Sequence, residues 1–185
     1  MDYRNKSGND TVGSFAEVCW NYHLTQSPFI GGWQCGAVRF STTDLIDNEH
    51  ICHCRMCQKA VGNLFAALVS VPKEALTCTR GTPGRFRSSE HVERGFCSEC
   101  GTPLFYDSLN SDEIGLCIGA FDAPQSLVPL SHESTESRMP WFSEITSIRD
   151  AGTSEEIDGL GRVQAVKASN RRHPDHDTAM WPPTM

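Results

Sequence analysis

The chain has 185 residues, 38% of them hydrophobic and 21% charged, with a net charge of −7. That length fits one domain with tails; the acidic balance argues against the basic footprint of a nucleic-acid binder, and no apolar run reaches the ~18 residues of a membrane span. Nine cysteines, an odd number with no secretory signal at the start, read as metal ligands in a reducing compartment rather than as a disulfide framework, so a soluble cytoplasmic protein is expected.

Residues 1–27 read as an N-terminal extension, disordered or loosely docked. Met1 to Gly13 is polar, and the apolar Phe15, Val18, Trp20, Tyr22 and Leu24 form no clear element. The domain is assigned to residues 28–148, its core beginning at Gly31-Gly32. Short β-type runs follow at Ala37–Phe40, Leu64–Val71, Leu76–Thr79, Gly84–Ser88, Pro103–Tyr106, Ile114–Ala120 and Val128–Ser131, separated by Gly, Pro, Asp and Ser. Leu64–Val71 is almost wholly apolar and is expected to be a central strand buried on both faces. Gln58–Val61 is expected to form a helical turn, and Pro140-Trp141 to open a short helix through Ile148. Residues 149–185 form a polar C-terminal tail, expected to be poorly ordered.

The cysteines carry the chemistry. Cys52, Cys54 and Cys57 offer three thiolates from one short loop, and the spacing suits zinc, whose Zn–S distance is about 2.3 Å. A fourth position is left for water or a substrate atom, as catalytic zinc sites require, whereas structural zinc is closed by four ligands. The alternative is a set of buried or redox thiols. Cys97 and Cys100, followed by Gly101, form a knuckle that cannot close a structural site alone. Cys35 is the nearest further candidate in pattern, which still makes only three. Cys78 and Cys117 fall in predicted strands and read as small core residues, while Cys19 is a remote possibility as a fourth ligand. His173 and His176 have metal-like spacing but sit in the polar tail and read as solvated.

In order along the chain, G-G-W-Q-C-G-A-V-R-F (31–40), C-H-C-R-M-C-Q-K (52–59), L-F-A-A-L-V-S-V-P (64–72), R-G-F-C-S-E-C-G-T-P-L-F-Y (94–106), I-G-A-F-D-A-P (118–124) and S-R-M-P-W (137–141) resemble the glutathione-dependent formaldehyde-activating enzyme family, the CENP-V/GFA domain, over roughly residues 28–148. The resemblance implies a mainly β, zinc-bound β-tent fold of short antiparallel strands, like that of a Rab accessory protein. It implies a catalytic zinc on Cys52, Cys54 and Cys57 and a structural zinc on a C-x-C pair plus the later C-x-x-C pair, which maps here to Cys35, Cys97 and Cys100. Trp33 stands where the family has the first cysteine of the C-x-C pair. Tryptophan cannot ligate zinc, so occupancy of the second site is in doubt. The implied activity joins a thiol, glutathione, to formaldehyde, a carbon–sulfur lyase reaction giving S-(hydroxymethyl)glutathione.

Zinc can keep a bound thiol ionised or polarise an aldehyde oxygen. Glutathione carries two carboxylates, so Arg55, Lys59 and Arg94 are candidate partners for it, and His132 is a weaker site candidate at a strand end. His53 lies between two ligands as a possible proton carrier, or as a loop histidine held by the backbone. Asp122 reads as a turn residue. The competing function is a non-catalytic, zinc-stabilised protein-binding module. A chromatin or cytoskeletal role, known from the centromere branch of the family, is weakened by the absence of a basic tract.

Overall fold

The computed structural model describes residues 28–180. The extension assigned to 1–27, Cys19 included, lies outside the described residues. Ten strands build two sheets. The smaller has the order β1 (Phe29–Gly32), β2 (Arg39–Thr42), β5 (Leu76–Arg80); the larger has the order β10 (Ser131–Glu133), β3 (His50–Cys52), β4 (Ala66–Pro72), β9 (Glu113–Cys117), β8 (Pro103–Ser108), β7 (Val92–Phe96), β6 (Gly84–Arg87). All neighbouring pairs are antiparallel except β10 and β3, which run parallel. The expected mainly β architecture is therefore present, with one parallel pairing in place of an all-antiparallel set.

Side-chain alternation along the large sheet decides what faces the core and what faces the site. One cross-strand row runs Val69, Leu116, Phe105, and a second pairs Val71 with Ile114. These side chains are buried and pack with Trp33, Phe40, Phe121 and Leu127. Phe40 of β2 meets Phe121 edge-on at 5.1 Å, which ties the small sheet to the turn after β9. The offset row runs Ser70, Gly115, Tyr106, Arg94, Phe86 across five strands. Beside it lie His50, Leu68 and Cys117, and then Cys52 with Ala66. A shift of one residue in any of these strands would exchange the two sets.

β4 is central, as its apolar run predicts. Four other expectations shift. β2 begins two residues after Ala37, because Trp33 to Val38 close a turn in which Gly36 N–H donates to the Trp33 carbonyl at 2.9 Å and Trp33 N–H to the Val38 carbonyl at 3.1 Å. β9 stops at Cys117, and Ile118–Ala120 wind into a 3-10 turn. β10 starts only at Ser131, and the helix expected from Pro140 is a 3-10 segment, Phe142–Ser147. β1, β3 and β7 carry no sequence signal: the first is glycine-rich, the second has three residues, and the third reads V-E-R-G-F.

In contrast with the poorly ordered tail expected for 149–185, two short helices follow, α2 (Ser154–Asp158) and α3 (Leu160–Ala168). Thr153 and Glu156 form a reciprocal capping box at the start of α2. The chain then returns to the small sheet. Arg39, 2% exposed, pairs with Asp122 at 2.6 Å and with Asp177 at 2.7 Å. Arg80 donates to the Thr178 carbonyl, and His173 N–H donates to the Gln34 carbonyl at 2.7 Å. Asp122 is thus more than a turn residue: both its oxygens take the buried Arg39 guanidinium.

Candidate active site and metal centre

Cys52 ends β3 and Cys57 lies inside α1 (Arg55–Val61), with Cys54 as the helix N-cap between them. The Cys54 sulfur accepts the Cys57 N–H at 3.2 Å, doing for the helix start what a serine oxygen usually does. This strand–cap–helix turn brings the three Sγ atoms within 4.8 Å of one another. A zinc tetrahedron with arms of about 2.3 Å has edges of ~3.8 Å, so the trio fits one metal ion with little adjustment. Cys52 and Cys57 are buried and Cys54 is half-buried. Burial pushes the Cys57 thiol up to about 12 against the opposing pull of Arg94, and raises Cys52 as well. Burial also works against ionisation of Cys54, but the hydrogen bonds from Cys57 and Cys52 and the Arg94 charge bring it below its ordinary value.

Cys35, Cys97 and Cys100 form a second trio with sulfurs inside the same 4.8 Å limit. Cys35 comes from the turn before β2, and its sulfur lies 3.5 Å from that of Cys97. The knuckle is shaped by Gly101, whose φ of 74° is left-handed and whose N–H donates to the Cys97 carbonyl at 2.8 Å. Burial pushes the Cys35 thiol up to about 11. Exposed Cys100 is opposed by some desolvation too, yet its hydrogen bonds with Thr102 and Cys35 bring it down to about 7. Both trios can therefore hold a metal ion. Trp33 supplies nothing to the second: it is 2% exposed in the core, and its Nε1 has no partner among the described residues.

Two clefts flank the first trio. One, of about 410 Å³, is lined by all three cysteines together with His50, Glu113 and Glu133. The other, of about 650 Å³, is lined by Lys59, Arg85, Arg94 and mainly apolar side chains; Met56, Leu68 and Tyr106 border both. Arg94 links them, with Nη2 3.6 Å from the Cys57 sulfur and its guanidinium 5.2 Å above the Tyr106 ring. Lys59 and Arg94 thus line the same cleft, and Arg94 also reaches the Cys57 sulfur. Arg55 does not: it donates to Gln58 Oε1 at 2.9 Å and lines neither cleft. Gln58 in turn donates to the carbonyls of His53 and Ser137, bracing the loop.

His53 is fully buried. Its Nε2 lies 2.9 Å from His132 Nδ1, and Phe142 meets it edge-on at 4.6 Å. Burial, with the neighbouring His132 and Arg138, lowers its pKa. Its N–H donates to the Glu133 carbonyl at 2.9 Å, so the backbone-held reading of this loop histidine accounts for its position, and His132 serves as its partner. Cys78 is exposed rather than in the core, and Cys117 borders the larger cleft with burial pushing its thiol up to about 11. His173 is buried by Thr178 and Arg80 in no metal cluster of the described residues, and His176 is exposed. Sequence reading passed over Tyr106, Phe86 and Arg85; only the register of β6, β7 and β8 brings them to the site.

The protein is thus a mainly β scaffold carrying two three-cysteine clusters that can each hold a metal ion, the first of them open to a cleft. Residues 28–137 match the glutathione-dependent formaldehyde-activating enzyme family, and the chain belongs to that family. Among solved structures, the crystal structure of a Rhodobacter sphaeroides protein from the Northeast Structural Genomics programme is similar, with 20% identity and a TM-score of 0.45 over 56% of this chain and 98% of that one. No curated protein matches the chain. No helix of the described residues is long and apolar enough to cross a membrane.

Proposed function

We propose that the protein is a zinc-dependent carbon–sulfur lyase-type enzyme that joins a glutathione-like thiol to a small aldehyde, with Cys52, Cys54 and Cys57 holding the catalytic ion. The observation that carries this reading is the three-thiolate cluster opening onto a cleft, with no fourth protein ligand grouped with it among the described residues. Bound there, zinc supplies a charge that keeps a thiol ionised or polarises a carbonyl oxygen. The chain's own residues do the rest. Arg94 offers its charge beside the Cys57 sulfur, and Glu133 and Glu113 give the smaller cleft, which all three cysteines line, a preference for an ammonium group. Holding both reactants across one cluster removes much of the entropic barrier to their meeting. Cys35, Cys97 and Cys100 hold a second ion whose remaining position is filled from outside the trio. The free thiols this requires fit a reducing compartment, the cytoplasm.

The test is the rate of S-(hydroxymethyl)glutathione formation from glutathione and formaldehyde, corrected for the spontaneous reaction, alongside zinc analysis of the same sample. Acceleration that disappears on chelation and returns with zinc supports the enzyme. Bound zinc without acceleration for any thiol–aldehyde pair supports the binding-module reading instead.

A further inference from the structure

The larger cleft has a lining that a one-carbon aldehyde and a polar tripeptide do not use. Its volume of about 650 Å³ is that of a site for a drug-sized ligand, whereas formaldehyde has the bulk of one or two waters, at ~30 Å³ each. Its walls come from Met56, Phe86, Phe96, Phe105 and Tyr106, of which Met56 and Phe86 are left 66% and 62% exposed. Clustered apolar side chains open to water mark a binding surface.

The charge on this wall points the same way. Arg85 is neutralised by Glu93 and Asp107, each at 3.0 Å. Lys59 and Arg94 have no carboxylate partner among the described residues, and Arg94 spends its contacts on the Tyr106 ring and the Cys57 sulfur. Two unmatched cations therefore stand over an aromatic wall in a chain of net charge −7. Phe86, Arg94 and Tyr106 are consecutive in one cross-strand row, so an anion at Arg94 has an aromatic surface on either side.

We propose that this cleft binds an amphipathic carboxylic acid, its carboxylate at Arg94 and Lys59 and an aromatic or branched aliphatic body along Phe86, Phe96 and Tyr106. Its meaning as a substrate subsite rests on the reading of Cys52, Cys54 and Cys57 as the reacting centre; the binding itself stands without that reading.

The experiment is calorimetric titration of the full zinc-replete chain with 4-phenylbutyrate, with 4-phenylbutan-1-ol and with glutathione. The acid is expected to bind about tenfold more tightly than the alcohol, the effect of a charge-assisted contact. Lys59→Gln and Phe86→Ser change exposed side chains and leave the fold in place. The first is expected to weaken only the acid, by about threefold, and the second to weaken acid and alcohol alike, by about fivefold. Equal binding of acid and alcohol, indifference to both variants, displacement of 4-phenylbutyrate by lower concentrations of glutathione, or no binding at millimolar acid would each overturn the proposal. A chain that binds the acid in the expected pattern yet accelerates no thiol–aldehyde reaction keeps this inference and loses the catalytic one; the reverse result loses only this one.

Discussion

The two cysteine trios have the same donors, with sulfurs inside the same 4.8 Å limit, and they are made in different ways. Cys52, Cys54 and Cys57 span six residues of one strand–helix turn, and two of the three are buried. Cys35 and the Cys97–Cys100 knuckle lie 62 residues apart at their closest sulfur pair, with Cys100 exposed. The first is organised by local backbone, through the Cys54 cap of α1. The second exists only when the turn before β2 is delivered to the end of β7. That turn is itself held from outside, since His173 of the C-terminal segment donates to the carbonyl of Gln34, next to Cys35. A locally built site can keep its geometry while neighbouring structure changes. A remotely built one inherits the stability of every element that supports it.

The largest test of this contrast is Cys54→Ser. It removes the cap sulfur and one of the three clustered thiols at once, and serine is a harder, far less acidic donor. Activity with glutathione and formaldehyde is expected to fall on the order of a thousandfold, while zinc at Cys35, Cys97 and Cys100 is retained. Wild-type activity in this variant would separate the loop trio from the chemistry.

Trp33→Cys probes the other trio. It puts a thiol two residues before Cys35 but deletes a buried indole, so the metal-free form is expected to lose about 3–5 kcal/mol. Added zinc should recover part of that by binding the folded state. Chemical denaturation with and without zinc measures both terms. A metal-free form as stable as wild type would show that Trp33 packs nothing of consequence.

Next in size is Arg39→Met, which strands the Asp122 carboxylate, its side chain 10% exposed, and releases Asp177. The expected cost is about 3 kcal/mol, at the lower end for a buried pair because Asp177 is exposed. Hydrogen exchange should rise in residues 170–178 and around Cys35 while α1 stays protected. Equal loss of protection at α1 would erase the distinction between the trios.

The smallest effect is one of pH. Burial lowers the His173 pKa, a shift opposed by the Pro174 carbonyl and reinforced by Arg39 and Arg80. The unfolded chain thus takes up this proton at higher pH than the folded one. The stabilising contribution is complete above about pH 6.5 and is lost as pH falls through the lowered folded value. In reduced, metal-free protein, the 170–178 segment is expected to become protease-sensitive below about pH 6, and His173→Gln should remove most of that dependence. Cleavage independent of pH would refute the linkage.

Much of this could be read without coordinates. The mainly β class, the central place of β4 and the composition of the first trio follow from apolar runs, turn residues and cysteine spacing, because each is a local property of the chain; Cys35 was joined to the Cys97–Cys100 knuckle by motif pattern and family resemblance. Lys59 was legible as a cation close in sequence to the first trio, whereas Arg94 stands in sequence beside the Cys97 knuckle and reaches the Cys57 sulfur only through the fold. Arg55 looked equivalent and is not, since helix geometry turns it to Gln58, three residues on. Cys78 sits in a β-type run, but the strand there leaves it exposed at the small sheet.

What the sequence by itself determined is which donors are present and how closely Cys52, Cys54 and Cys57 can come together. Tertiary structure alone decided the rest. The row Phe86, Arg94, Tyr106 depends on the register of three strands, and period-2 alternation fixes a side chain's face only once its neighbours are known. The pairing of Arg39 with Asp122 and Asp177 joins residues 83 and 138 positions apart. Such contacts leave no periodic trace in the chain, because what selects them is the burial of a charge that must find its partner wherever the fold delivers one.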